Sequence, residues 1–127
     1  MEKNTIKKHF FKWLSDGIND GSMTINSSSS LVHFVDEGVF IKTPSIFRRF
    51  IKQNKDLNIT HDDIARILIE KNLFNLNKKG LLVFSYYVEG NKKIVLHGYL
   101  FKLDLLTINK SQIINNLLLT KCSHQGL

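Results

Sequence analysis

One cysteine, one proline and one tryptophan are all that this 127-residue sequence holds of those three types. A single thiol, Cys122, excludes an internal disulfide and a thiolate metal cluster, and it fits a reducing compartment. Long apolar runs are missing too: nothing approaches the roughly 20 residues that a bilayer-crossing helix needs. Met1-Glu2-Lys3-Asn4 lacks the unbroken apolar stretch of a signal peptide. The expectation is a cytoplasmic chain with no membrane partner. Acids are the scarcer charge, 11 against 18 lysines and arginines, for a net charge of +7. An excess of that sign favours polyanions such as nucleic acid, although charge alone also serves solubility.

What remains is ordinary for a folded protein: 43% hydrophobic and 23% charged residues. A chain of this length is one domain, able to bury roughly two-thirds of its unfolded surface. A single domain over 1–127 is expected, with 120–127 a fraying tail. The positive charge is clustered. Lys42, Arg48, Arg49, Lys52 and Lys55 follow one another with no acid between, and the pairs Lys78-Lys79 and Lys92-Lys93 flank predicted turns.

Ile6, Phe10, Trp13, Leu14 and Ile18 recur at three- and four-residue spacing, which predicts an amphipathic helix over 4–17 with Trp13 inside, stopped by Gly17 and Gly21. Met23 to Asn26 reads as a short strand, and Ser27 to Ser30 as a surface loop too short to be a linker. Leu31–Val35 and Val39–Ile41 around Asp36-Glu37-Gly38 read as a tight hairpin. Thr43-Pro44-Ser45 then signals a helix start, with a hydroxyl cap and proline at the first helical position. Ile46, Phe47, Phe50 and Ile51 make its apolar stripe, and Arg48, Arg49, Lys52 and Lys55 its wet face. Thr60 opens a further helix that carries Asp62 and Asp63 in its first turn and buries Ile64, Ile67 and Leu68. Asp56 to Ile59 form so short a connection that the two helices read either as a helix-turn-helix or as a plain helical hairpin.

Leu81–Val88 and Ile94–Phe101 are strand-like, joined by Glu89-Gly90-Asn91-Lys92-Lys93 as a basic hairpin tip. In the tail, Ile113, Ile114, Leu117, Leu118 and Leu119 are expected to pack and Cys122–Leu127 to fray. The element order predicts an α+β fold: a winged-helix-like domain with an extra β-hairpin inserted before the second helix, the last hairpin being the wing. A small α+β sandwich is the alternative.

Several stretches carry a family resemblance in order: Phe10 to Ile18, Ile25-Asn26, Leu31 to Val35, Phe40 to Phe47, Tyr87-Val88-Glu89-Gly90 and Leu96 to Leu100. Together they resemble the C-terminal domain of the TraI-like relaxases of integrating conjugative elements, labelled a conjugal-transfer nickase/helicase C-terminus, over about 8–119. The resemblance implies a winged-helix-like fold and a role in DNA processing. It also implies that relaxase chemistry resides in N-terminal regions, so that this domain is not an enzyme by itself.

The residues offer little chemistry of their own. His33, His61-Asp62 and Asp104 spell the ligand order of a metal-dependent phosphohydrolase, which needs those ligands converging from adjoining helices. His33 falls in a predicted strand, His61-Asp62 are explained by capping, and Asp104 follows a strand. His97, in an apolar strand, reads as a core histidine. No phosphate loop or Rossmann glycine pattern occurs, and the serine run has no supporting His/Asp pair, so no catalytic residue, metal site or cofactor is assigned. Tyr86 and Tyr87 lie on opposite faces of one strand; one belongs to the core and the other is a candidate for stacking on a base.

Two functions from different classes remain. The first is a DNA-binding accessory domain using Arg48, Arg49, Lys52, Arg66, Lys71, Lys78, Lys79, Lys92 and Lys93 on phosphates, backbone-dominated and low in sequence specificity. The second is a module that docks on conjugative transfer proteins through an exposed apolar patch. Asp62, Asp63 and Glu70 on the would-be recognition helix favour the second, because they repel a phosphate-lined groove.

Overall fold

In the computed structural model, residues 2–27, 29–88, 91–109 and 119–121 are described. They form a mixed α+β fold. Helix α1 spans Lys3–Asp20, strands β1 and β2 span Val32–Val35 and Gly38–Lys42, and helices α2 and α3 span Ser45–Gln53 and His61–Glu70. Strands β3, β4 and β5 then cover Phe84–Val88, Asn91–Phe101 and Leu119–Lys121. The strands make one sheet in the order β1-β2-β4-β3-β5, antiparallel throughout.

The spacing of Ile6, Phe10, Phe11, Leu14 and Ile18 explains α1, since all five share its buried face. The helix runs past Gly17, contrary to the expectation that this residue stops it. An interior glycine costs about 1 kcal/mol but breaks no hydrogen bond. Here it leaves room for Met23, whose N–H donates to the Gly17 carbonyl at 2.9 Å. The stop is Gly21, in the left-handed region at φ 83°. The strand expected over Met23–Asn26 shrinks to a single bridge between Ile25 and Val32, because Asn26 turns the chain at φ 63°.

The β1–β2 hairpin forms as expected, with Val35 opposite Gly38 across Asp36-Glu37. Strand β2 then lies so close to β4 that a side chain at Gly98 would collide with the Ile41 carbonyl oxygen. The start of α2 differs from the expected cap. Helix geometry begins at Ser45, with Pro44 in the capping position and no side-chain cap. Thr43 comes too early, its own N–H donating to the His97 carbonyl at 3.3 Å as the sheet ladder ends. The cap of α3 is as predicted: the Asp63 N–H donates to Thr60 Oγ1, and the Thr60 N–H to the Asp63 carboxylate, each at 3.1 Å.

One face of the sheet takes all three helices. Phe10 contacts the rings of Phe11, Trp13, Phe47 and Phe50, and Phe11 stands edge-on to Phe101. Ile46, Ile64, Leu68, Phe34, Val39 and Ile41 complete this core. Trp13 is not fully inside as expected. It lies half-buried at the rim, where its Nε1 donates to the Gln53 side chain at 2.8 Å. The opposite sheet face buries Val35, Phe40, Phe84, Tyr86, Leu96 and Leu100 in a second cluster. Of the two tyrosines, Tyr86 is therefore the core one, and its hydroxyl donates to Glu37 at 2.6 Å. Burial and that carboxylate push the phenol pKa up.

Three boundaries differ from those expected. β3 begins at Phe84, and Leu81–Val83 belong to the preceding loop. β4 begins at Asn91, so Lys92 and Lys93 stand in the strand and not in a five-residue tip. The ladder also jumps there, from Tyr87 opposite Val95 to Val88 opposite Asn91. β5 includes Thr120 and Lys121, the first residues of the stretch expected to fray. The expected turn residues Glu89 and Gly90, the apolar tail residues Ile113 to Leu118 and Cys122–Leu127 lie outside the described residues.

Candidate nucleic-acid interface

The amphipathic stripe that buries Ile46, Phe47 and Phe50 leaves Arg48, Arg49 and Lys52 together on the exposed face of α2. None of the three has a carboxylate within ion-pair distance among the described residues. Arg49 leans toward α1, its Nη1 at 3.6 Å from Met23 Sδ. It borders a groove of about 550 Å³ between α1 and α2, which Lys8, Lys12, Trp13 and Gln53 also line. Lys8 and Lys12 were not singled out in the sequence, although their four-residue spacing on α1 was visible there. Lys12 is held by Asp16 at 2.6 Å.

Helix α3 presents a different charge. Arg66 donates to Asp63 at 2.9 Å, so it is committed to its own helix and contributes little free charge. Hydrogen bonds from Thr60, then the Arg66 guanidinium, hold the Asp63 carboxyl below its ordinary pKa, and Asp62 stands exposed beside it. Lys3 does the same to Glu70, at 2.7 Å. Lys71 is half-buried at the C-cap. Lys78 and Lys79 are exposed in the turn of the loop before β3. The side chains of Lys92 and Lys93 lie outside the described residues, but their backbone opens β4 beside the β3–β4 turn. The nine predicted cations thus divide among α2, α3, the loop and the start of β4.

The described histidines stand apart from one another. His33 is fully buried in β1, with Nε2 at 2.9 Å from the Ser30 carbonyl, and burial lowers its pKa to about 4. His61 stands at the α3 N-terminus, 3.4 Å from Asp62. Contrary to expectation, His97 is not a core residue: the ring contacts of the helical layer reach Tyr99 and Phe101 on β4, and His97 lies beyond them, exposed, with Nδ1 at 2.7 Å from Ser85 Oγ. Among the described residues, no three His, Cys, Asp or Glu side chains converge on a common point. No helix among them is long and apolar enough to cross a membrane.

Fold and surface together define a small α+β domain whose exposed positive charge includes one face of α2, part of α1 and the turn at Lys78-Lys79. The chain belongs to the family described as "Putative conjugal transfer nickase/helicase TraI C-term", whose model matches residues 5–121. The resemblance carried by Phe10–Ile18 and the later stretches pointed to that family. The fold is similar to that in the crystal structure of the C-terminal domain of Salmonella enterica protein STY4665, of the DUF1528 family. That similarity has a TM-score of 0.72 at 18% identity and covers 96% of this chain and 100% of the other. No curated protein matches.

Proposed function

We propose that this is a non-catalytic accessory domain of a conjugative transfer system, built as a winged-helix-like domain with an extra β-hairpin before the second helix, that binds DNA through its phosphates. In this reading α2 and α3 are the helix-turn-helix pair, β3–β4 is the wing, and β1–β2 is the extra hairpin before α2. The observation that carries the proposal is the triad Arg48, Arg49 and Lys52 on the exposed face of α2, with no ion-pair partner among the described residues. Such a face attracts a phosphate backbone and gains entropy by releasing condensed counterions. Lys78, Lys79, Lys92 and Lys93 extend the positive charge to the loop before β3 and to the start of the wing's second strand. The acidic first turn of α3 opposes insertion of that helix into a groove, which leaves contacts to the backbone as the main attraction. Membership of a family described as a nickase/helicase C-terminus supports a partner of this kind.

The test is fluorescence anisotropy with a labelled duplex and a labelled single strand at about 50 and 200 mM salt, a range over which such binding weakens by roughly a thousandfold when several phosphates are contacted. Affinity is expected to fall with salt, and each Arg→Ala or Lys→Ala change at a contact to reduce the log–log slope by roughly one unit. Absence of binding at the lower salt, or binding indifferent to an Arg48→Ala, Arg49→Ala, Lys52→Ala triple variant, would overturn the proposal.

A further inference from the structure

We propose that the loop 75–83 is a docking surface for an acidic, amphipathic segment of a partner protein. Four large hydrophobic residues are exposed among the described ones, and three of them stand in this loop: Leu76 at 61%, Leu81 at 58% and Val83 at 47%. Their exposure is built in. Asn77 clasps the loop, its Oδ1 accepting from the N–H groups of Lys79 and Leu81 at 2.8 and 3.1 Å and its Nδ2 donating to the Val83 carbonyl at 2.9 Å. The Asn77 backbone N–H donates to the Leu81 carbonyl at 2.7 Å, and Gly80 closes the turn at φ 78°. One backbone arm therefore carries Leu76 and the other, clasped to it, carries Leu81 and Val83. At the base, the Asn75 N–H donates to the Leu100 carbonyl at 2.7 Å, anchoring the loop to β4.

An ordered cluster of exposed aliphatic side chains marks an interaction surface, since an unclasped loop of this size could fold them inward. The charge beside it chooses the partner. Lys78 and Lys79 sit in the turn between the arms, exposed and with no carboxylate in ion-pair distance among the described residues. Aliphatic groups next to unpaired ammonium groups match a segment with leucine-like residues on one side and carboxylates at its edge. Nucleic acid fits less well, because Leu and Val offer no aromatic face for a base. A membrane surface also fits less well, since two lysines supply only about 2 kcal/mol of attraction to anionic lipid. Lys78 and Lys79 are shared with the proposed phosphate-binding charge, but Leu81 and Val83 are not, so a change at the two aliphatic residues tests this surface apart from DNA binding.

The experiment uses the whole chain and a fluorescein-labelled synthetic peptide of about 16 residues, with leucine at helical spacing and glutamate elsewhere. A second peptide replaces every glutamate by lysine. The acidic peptide is expected to bind saturably, and the lysine peptide at least roughly tenfold more weakly. Leu81→Ser with Val83→Ser, and separately Lys78→Glu with Lys79→Glu, should each weaken the acidic peptide by about tenfold or more. Because all four side chains are exposed, the thermal melt should stay unchanged. The Leu81→Ser, Val83→Ser variant should also keep the duplex affinity of the parent, which separates this outcome from loss of DNA binding. No saturable binding, equal affinity for both peptides, unchanged acidic-peptide affinity in either double variant, or a Leu81→Ser, Val83→Ser variant that instead loses binding to phosphatidylserine vesicles or to the duplex would overturn the proposal.

Discussion

His33 shows how a single side chain couples this fold to pH. A buried imidazole whose Nε2 can donate to the Ser30 carbonyl is stable only when neutral, and its pKa in the folded state is lowered to about 4 from an ordinary 6.5. The unfolded chain protonates first as pH falls, so stability is full above 6.5 and is lost between 6.5 and about 4. A shift of that size is worth about 3 kcal/mol. Urea melts at pH 7 and pH 4.5 should differ accordingly, and the His33 ring resonance should titrate near 4. A midpoint above 6 in the ring titration would show that the imidazole is open to water. Trp13 teaches the opposite lesson. Its place in the apolar stripe suggested full burial, but the indole N–H needs an acceptor, and Gln53 supplies one only at the rim.

At the scale of elements, the two helix starts differ in how they satisfy their free N–H groups. α3 has a complete capping box, whereas α2 relies on the Pro44 carbonyl, which accepts from Phe47 and Arg48 at 3.0 and 3.1 Å. Thr60→Ala should therefore destabilise the protein by about 1 kcal/mol, and Thr60→Ser should restore most of it. Thr43→Ala should cost little by comparison, because its side chain caps nothing. Equal losses at the two threonines in urea unfolding would contradict these assignments. The strand boundaries misread in the sequence have a local cause: the Asn77 side chain occupies backbone groups of Lys79, Leu81 and Val83 that a strand would need for its ladder.

For the whole molecule, the distribution of charge matters more than its sum. The net +7 is spread so that the cations of α2 and of the loop before β3 have no ion-pair partner among the described residues, while α3 keeps its acids and spends Arg66 on Asp63. In the proposed function the surface holds DNA by its backbone, and on that proposal exchanging one duplex sequence for another of equal length should change affinity by less than about threefold. A sequence-reading protein loses roughly 1–3 kcal/mol per mismatched pair. Competition between unrelated duplexes measures this directly, and a tenfold preference would mean that α3 reads bases despite its acids.

Local periodicity and capping chemistry were enough to place α1, the β1–β2 hairpin, α2, α3 and the pairing of β3 with β4, because each rests on residues within a few positions of one another. The face of α2 that carries Arg48, Arg49 and Lys52 was legible for the same reason. Sheet order was not, since the pairing of β2 with β4 depends on a close approach at Gly98 that no local pattern encodes. The Arg66–Asp63 pair, three residues apart on α3, was legible from spacing too, though passed over, whereas spacing could not reveal that His97 escapes the helical layer or that Leu76, Leu81 and Val83 face water. Those outcomes depend on which neighbours the folded chain brings within a few ångströms, and only the tertiary arrangement decides that.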